Sequence, residues 1–294
     1  MRDYQTIRYQ RDGDIGTLTL ARPAKLNAQN PLMWEELARL GTGLLPDQTL
    51  RCLVVTGEGR AFSAGIDLVE GIAGIVAALA ADEDTRAAGQ AAAGAFGWIP
   101  ALGCPSIAAV RGHAYGGGLQ LALACDFRIF AEGTRVGLTE TRYGIMPDMG
   151  ATVWLPRIVG ESRALELILL GDVIDAAEAL RIGLANRVVA GADLGAAAAE
   201  FAARLAAQPP VAVRGPGGRS TRRGTAARRR ACGWRWTSSS AVSSQRTSRR
   251  PSGRWPKAGA PDGGAARADP ATYFSGAGRP GVCAHRSSPE DKFY

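Results

Sequence analysis

The spacing of apolar residues along the first 213 residues predicts alternating strands and helices. Alternation of apolar and polar positions predicts two strands over 7–9 and 15–20, with a hairpin turn at Asp12-Gly13. Short apolar runs predict four more strands, and apolar repeats of three to four residues predict helices. These strands cover 53–56, 106–110, 127–131 and 187–189. The helices cover 31–45, 68–96, 119–125, 162–170, 176–182 and 194–207. Such alternation is typical of the α/β class.

A glycine-rich turn separates the predicted strand 106–110 from the helix that follows it. Gly116, Gly117 and Gly118 stand in a row where the helix begins. Glycine lets the backbone approach a ligand closely, and the unpaired N–H groups of a helix start carry partial positive charge. The turn therefore suits a developing negative oxygen or a phosphate, although it is equally compatible with a plain tight turn. The P-loop and dinucleotide-binding patterns both fit badly, because Lys-Ser/Thr is absent after the glycines and the glycine spacing differs.

Charge divides the chain into two unlike parts. Residues 1–213 carry 18 Lys/Arg and 23 Asp/Glu, a balance of −5, whereas residues 214–294 carry 17 Lys/Arg and 4 Asp/Glu, a balance of +13. The basic part contains no Leu, Ile or Met. Such a segment buries too little apolar surface to offset its ordering entropy. We expect one domain over 1–213 and a basic, low-complexity, disordered tail over 214–294.

The cysteine and histidine content argues against a metal site. Five cysteines form no metal-binding spacing, and His113 has only one other histidine in the chain. The N-terminus shows no secretory pattern, and apolar runs stay shorter than a membrane span. We expect a cytoplasmic protein that binds neither a metal nor a membrane.

Several segments in a fixed order carry a family resemblance. They are Arg-Pro-Ala-Lys-Leu-Asn-Ala over 22–28, Gly-Arg-Ala-Phe-Ser-Ala-Gly-Ile-Asp-Leu over 59–68, and the segments 112–126, 139–150, 155–160 and 171–188. Together they resemble the crotonase superfamily, the enoyl-CoA hydratase/isomerase family. Each motif is weak by itself, and the order of all of them over about 5–213 makes the resemblance specific.

The resemblance implies a fold, a substrate and a set of site residues. It implies a spiral of ββα units that assembles as a homotrimer or hexamer, and an acyl-CoA thioester as substrate, with coenzyme A as part of the substrate and no other cofactor. The backbone N–H groups of Ile66 and Gly117 match the family's oxyanion hole, which stabilises an enolate. The residues that match substrate-binding or CoA-binding positions are Lys25, Ala64, Gly65, Asp67, Gly116 and Gln120.

The expected acid and base residues depart from the hydratase pattern. Hydratases of the family typically present two glutamates, and here one of those positions holds Gln120, which cannot exchange a proton near neutral pH. Glu140 matches the second position, and Asp148 follows it on the same loop. Two carboxylates at one site can shuttle a proton between carbons, so the pair resembles isomerase members. We predict Glu140 and Asp148 as catalytic residues.

A purely structural role stays open for most of these residues. Asp148 follows a proline in ordinary turn chemistry, and Glu140 fits a solvated loop carboxylate. Gln120 fits a structural hydrogen-bond former, Asp67 a helix cap, and Lys25 an isolated surface charge. We predict an acyl-CoA isomerase in preference to a two-glutamate hydratase, with hydration by Glu140 alone as the second choice. The sequence is also compatible with a non-catalytic or RNA-binding relative and with an inactive truncated product.

The composition of the tail suggests its origin. Family members usually continue with a Leu- and Glu-rich helical region, whereas this chain becomes rich in Arg, Ser and Gly after 209–214. Back-translation in the neighbouring frame can encode a family-like helix over 236–261, so we interpret the tail as the product of a frameshift that leaves the helical C-terminal region incomplete. The basic charge fits nucleic-acid binding, but out-of-frame translation of G/C-rich DNA produces Arg and Gly without selection. We therefore do not expect a nucleic-acid partner, and the DNA sequence around codons 210–220 tests this interpretation.

Overall fold

The computed structural model describes residues 4–71 and 94–215. The middle of the helix predicted over 68–96 lies outside the described residues. The predicted basic tail lies outside them as well from residue 216 onward.

A six-stranded sheet forms the larger of two sheets. Its strands are β1 (Ile7–Asp12), β2 (Ile15–Leu20), β3 (Cys52–Gly57), β4 (Ser106–Val110), β6 (Phe127–Ala131) and β9 (Arg187–Val189). They lie in the order β1-β2-β3-β4-β6-β9, with β1 and β2 antiparallel and all other neighbours parallel. In the register of β2 and β3, Leu18 lies opposite Val55. Every residue of β4 is buried, as expected for a parallel strand covered on both faces.

Three short strands form a second sheet, and the first two of them each follow a strand of the large sheet along the chain. It contains β5 (His113–Tyr115), β7 (Arg135–Gly137) and β8 (Val173–Asp175), in the order β5-β7-β8. β4 and β5 lead into helix α2 (Gly117–Ala124), and β6 and β7 lead towards helix α3 (Ala151–Val159). In each unit the first strand joins the large sheet and the second joins the small sheet. The predicted α/β class and spiral of ββα units are therefore confirmed.

Helices cover both faces of the large sheet. Besides α2 and α3 they are α1 (Pro31–Leu44), α4 (Glu161–Leu170), α5 (Ala176–Arg181), α6 (Leu194–Ala206) and α7 (Pro210–Gly215). Helix α1 begins where the Asn30 side chain accepts a hydrogen bond of 3.0 Å from Met33 N, with Pro31 in the first helical position. None of the helices within 4–71 and 94–215 is long and apolar enough to span a membrane.

Two hydrophobic cores lie on opposite sides of the large sheet. Along β3, Leu53 and Val55 belong to the larger core, whereas Cys52 and Val54 belong to a smaller core that contains Ala198 of α6. The alternation follows from the period of two in a strand. Because both faces are covered, functional groups are confined to the loops at the strand ends, where the site described below is found.

The sequence prediction missed the small sheet. Its strands contain three residues each, which is too short for alternation of apolar positions to be recognised. Helix α3 was also missed; it contains Pro156 near its end, and proline argues against a helix interior. The strands of the large sheet match their predicted positions closely.

Candidate active site

The segment 62–66 is an extended stretch that is hydrogen-bonded along both edges. On one side Tyr115 N donates to Ser63 O across 3.1 Å, and Ser63 pairs with Ala114 of β5. On the other side Gln29 N donates to Gly65 O across 2.7 Å. The segment is therefore held between the loop that precedes α1 and the strand that leads into α2.

These contacts bring the two predicted oxyanion donors to the same place. A Cβ atom built on Gly65 would lie 3.6 Å from Gly117 N, so the residue before Ile66 contacts the start of α2. Gly117 is the first residue of α2, where a backbone N–H has no partner inside the helix. Within the described residues, neither Ile66 N nor Gly117 N donates a hydrogen bond. Both N–H groups are free to bind a ligand atom.

Two glycines allow this close approach. Gly65 has φ of +95°, and a Cβ on it would lie 2.7 Å from the carbonyl oxygen of Tyr115. Gly116 has φ of +47°, and a Cβ on it would lie 3.3 Å from Oε1 of Glu140. Side chains at these positions would meet both an unfavourable backbone conformation and a close neighbour. Gly65 therefore lets the 62–66 segment lie close to the Tyr115 carbonyl, and Gly116 lets the Glu140 carboxyl lie close to the start of α2.

Glu140 is a buried carboxyl group at this place. It lies on the 3-10 helix Thr139–Tyr143 and is only 5% exposed. Its Oε1 accepts a hydrogen bond of 2.8 Å from Gln120, whereas Oε2 has no hydrogen-bond partner in the described part of the chain. Burial raises the pKa of Glu140 to about 7, and the nearby charge of Asp148 adds to the rise against the hydrogen bonds that lower it. The group can therefore hold or release a proton near neutral pH.

Gln120 connects Glu140 to the start of α3. Its side chain is fully buried, and its Oε1 accepts a hydrogen bond of 3.1 Å from Ala151 N. A backbone N–H can only donate, so this contact places the amide oxygen towards Ala151 and the amide nitrogen towards Glu140. The amide thus fixes the Glu140 carboxyl and offers no proton of its own for transfer.

Asp148 lies on the loop between Glu140 and α3. Its side chain is exposed to solvent. The surrounding protein nevertheless raises the pKa of Asp148 through burial, against one backbone hydrogen bond that lowers it. The charge of Asp148 adds to the raised pKa of Glu140, so the two carboxyl groups interact electrostatically.

Asp67 acts in local structure. Its Oδ1 accepts hydrogen bonds of 3.1 Å from Val69 N and Glu70 N, and its Oδ2 accepts one of 3.1 Å from Arg22. Partial burial opposes these bonds, yet the donors of Glu70, Val69 and Arg22 together hold the pKa of Asp67 below its ordinary value. This is the capping role that the sequence left open, reinforced by an ion pair with the 22–28 loop.

The remaining predicted substrate residues lie on the surfaces of the same loops. Ala64 N donates to Leu26 O across 2.9 Å, so Ala64 helps to join the 22–28 loop to the 62–66 segment. Lys25 ends the 3-10 helix Pro23–Lys25, and its side chain is exposed. Its contact with the CoA phosphates stays a prediction. In the part of the chain that the structure describes, no group of three His, Cys, Asp or Glu residues could hold a metal ion.

Sequence reasoning overlooked Gln29, whose side chain is fully buried at this site. Its Nε2 donates to Gly117 O across 3.0 Å, and its Oε1 accepts from Trp34 Nε1 across 3.1 Å. The only signal in the sequence was a polar residue between a loop motif and the proline that opens α1, which is common in ordinary helix starts.

Comparisons with known proteins show which family the chain belongs to. The family described as enoyl-CoA hydratase/isomerase matches residues 10–216. A crotonyl-CoA hydratase of Syntrophomonas wolfei is 37% identical over 212 residues, which are 72% of this chain and 79% of that protein. A Thermobifida fusca protein solved in complex with CoA superimposes with a TM-score of 0.66 at 39% identity, over 77% of this chain and 91% of that one. A Thermobifida fusca protein solved in complex with acetoacetyl-CoA superimposes with a TM-score of 0.66 at 38% identity, over 77% of this chain and 92% of that one.

The fold and the family match together define a member of the crotonase superfamily. The chain belongs to the enoyl-CoA hydratase/isomerase family. It is accordingly an enzyme that processes acyl-CoA thioesters.

Proposed function

We propose that this protein is an enoyl-CoA isomerase in which Glu140 moves a proton along the acyl chain of a 3-enoyl-CoA. The observation that carries the proposal is the state of Glu140: one oxygen accepts a hydrogen bond from Gln120, the other has no partner among residues 4–71 and 94–215, and burial raises the pKa to about 7. A group with such a pKa can accept a proton in one step and return it in the next.

The reaction is a 1,3-proton shift. The Glu140 carboxylate removes a proton from C2 of the 3-enoyl thioester, and the electrons of that C–H bond move into the conjugated system and onto the thioester oxygen. The resulting dienolate collapses when Glu140 returns the proton to C4, which places the double bond between C2 and C3. No water or external oxidant takes part, so one carboxyl group accounts for both proton transfers.

The N–H groups of Ile66 and Gly117 stabilise the dienolate oxygen. Both are free of partners within the described residues, and Gly117 N also lies at the positive end of α2. Donors that are fixed in place before the reaction stabilise developing charge without reorganisation, and each is worth roughly 3 kcal/mol in the transition state. Because the donors belong to the backbone, the isoleucine side chain at position 66 is compatible with this role.

Asp148 supports the proton transfer as the second carboxyl group. Its charge raises the pKa of Glu140, which favours the protonated intermediate form of that residue. Asp148 lies on the loop between Glu140 and α3, and both proton transfers stay with Glu140. Substrate recognition follows the relatives: the Thermobifida fusca structures contain CoA and acetoacetyl-CoA, and we assign the CoA phosphates to the exposed Lys25.

Hydration of a 2-enoyl-CoA is the second candidate function. It is favoured by the name of the Syntrophomonas wolfei relative, a crotonyl-CoA hydratase. Glu140 alone would then have to position water and also supply a proton. Gln120 offers no second carboxylate, and its oxygen is already occupied by Ala151 N, so the geometry favours isomerisation.

Turnover of two substrates by the purified protein tests the proposal. We expect conversion of 3-enoyl-CoA to 2-enoyl-CoA to be faster than hydration of 2-enoyl-CoA, and Glu140→Gln to reduce the isomerisation kcat by about 10²- to 10⁴-fold. Glu132→Gln, which changes an exposed glutamate outside the site, should retain full activity. Hydration without isomerisation would replace the proposal with the second candidate function. Full activity of Glu140→Gln would reject both candidate functions, since each depends on this carboxyl group.

A further inference from the structure

Gln29 touches both halves of the proposed oxyanion hole. Its buried amide nitrogen donates to Gly117 O across 3.0 Å, and its amide oxygen accepts from Trp34 Nε1 across 3.1 Å. An indole N–H can only donate and a carbonyl can only accept, so the two partners fix the orientation of the amide independently. Both ends of the side chain are therefore occupied.

The backbone of Gln29 holds the other half. Gln29 N donates to Gly65 O across 2.7 Å, and Asp67 N donates to Gln29 O across 2.8 Å. The Gly65 carbonyl and the Ile66 N–H belong to one planar trans peptide group, in which they point in opposite directions. Anchoring the carbonyl therefore fixes the direction of the Ile66 N–H.

The side chain of Gln29 also limits the position of Gly117. A Cβ atom on Gly117 would lie 2.9 Å from Gln29 Oε1, so the amide packs directly against this glycine. One residue thus restrains the Ile66 peptide through its backbone and the Gly117 residue through its side chain. We infer that Gln29 is a positioning residue that sets the separation and direction of the two N–H donors, an inference that rests on the proposed function.

The amide is the part of Gln29 that this role needs. Methionine has a similar length and would fill the same buried space, but it cannot donate to Gly117 O and leaves the indole N–H of Trp34 without its acceptor. Small displacements of reacting groups reduce rates steeply. Loss of the amide should therefore act on stabilisation of the enolate and leave recognition of the CoA portion unchanged.

The test uses acetoacetyl-CoA, whose enolate is detected by its absorbance. Wild-type protein should increase the enolate fraction of the bound ligand. Gln29→Met should lower that fraction about tenfold and lower the isomerisation kcat by about 10- to 100-fold, with KM within about threefold of wild type. Thr6→Val is the control, because it removes another buried side-chain hydrogen bond. Thr6, just before β1, donates this bond from Oγ1 to Glu36 of α1, and its loss should leave the enolate fraction and kcat unchanged.

A second variant, Gln29→Glu, preserves the shape and makes the donor depend on pH. A neutral carboxyl can donate to Gly117 O, whereas a carboxylate cannot donate and repels that carbonyl. The enolate fraction of Gln29→Glu divided by that of wild type at the same pH should rise as the pH falls. A ratio that stays constant across pH, or a Gln29→Met protein with wild-type enolate fraction and kcat, overturns the inference. Unfolding of both variants also overturns it, since Gln29 would then act on stability alone.

The two proposals fail differently. If wild-type protein neither isomerises 3-enoyl-CoA nor increases the enolate fraction of acetoacetyl-CoA, the proposed function fails and the role of Gln29 falls with it. If wild-type protein does both and the Gln29 variants match it, only the role of Gln29 is rejected.

Discussion

The amide nitrogen of Gln120 donates a hydrogen bond of 2.8 Å to Oε1 of Glu140, and both side chains are buried. Of the two glutamates of the hydratase pattern, the chain retains Glu140 and has Gln120 at the other position. The contact therefore joins the two positions of that pattern. The carboxyl is oriented by a neutral group, so a proton on Glu140 is not shared with a second acid at that point.

Gln120→Glu should move the chemistry towards hydration. A second carboxyl group beside Glu140 would raise the pKa of one of the two groups by charge repulsion. It would also supply the missing acid or base. The rate of 2-enoyl-CoA hydration relative to 3-enoyl-CoA isomerisation should rise about tenfold or more, as measured by competing initial rates. Gln120→Met serves as the matched control because it removes the amide without adding a charge. An unchanged ratio in Gln120→Glu would contradict the assigned role of this position.

The raised pKa of Glu140 makes stability depend on pH. The folded-state pKa is about 7, against an ordinary value of 4.5, so the native state binds this proton more tightly than the unfolded state. The contribution of Glu140 to the free energy of unfolding should therefore be largest below pH 4.5, fall as the pH rises to 7, and level off above that. The total change is on the order of 3 kcal/mol.

Denaturant unfolding at several pH values measures this effect. Glu140→Gln has no carboxyl to titrate and should lose that component of the pH dependence, so its stability relative to wild type should increase between pH 4.5 and 7. Parallel curves for the two proteins would show that the Glu140 pKa is not raised. In the wild-type enzyme, kcat should rise with pH through about 7, because proton removal from C2 requires the carboxylate.

Asp148→Asn should reduce isomerisation and shift its pH profile. Removal of the charge lowers the pKa of Glu140, so the rise of kcat should move to lower pH. A carboxylate with a lower pKa is a weaker base towards the C2 proton, so the plateau kcat should also fall severalfold. Asp12→Asn, at an exposed position at the end of β1, should change neither quantity. Full activity of Asp148→Asn would exclude this residue from the mechanism.

Gly65→Ala should separate the two N–H donors. The new Cβ would lie 2.7 Å from the Tyr115 carbonyl oxygen at a φ of +95°, so the 62–66 segment must move away from the start of α2. We expect kcat to fall about 10²-fold or more, as for loss of an oxyanion donor. Gly133→Ala is the matched control, since Gly133 has φ of +75° with nothing within 4 Å of its Cβ position. It should cost about 1 kcal/mol of stability and no activity; equal losses of activity in both variants would point to backbone strain alone.

The order and class of the longer strands and helices could be predicted from the sequence, whereas the three-residue strands could not. The buried strands of the large sheet are recognisable because apolar side chains must fill both faces, as along β4. The three-residue strands β5, β7 and β8 are defined by hydrogen bonds between distant segments. Such pairing leaves no local pattern in so short a run.

For the site, the sequence alone determined the groups that can take part in chemistry. The glycine turn with its N–H donors, Glu140, Asp148 and the absence of an ionisable group at Gln120 are all properties of residue type and order. Only the tertiary structure decided that Asp67 caps a turn, that one oxygen of Glu140 lacks a partner, and that Gln29 joins the Ile66 and Gly117 segments. Burial and hydrogen bonding between distant segments exist only once the chain has folded, and they set both the pKa of a carboxyl group and the direction of an N–H.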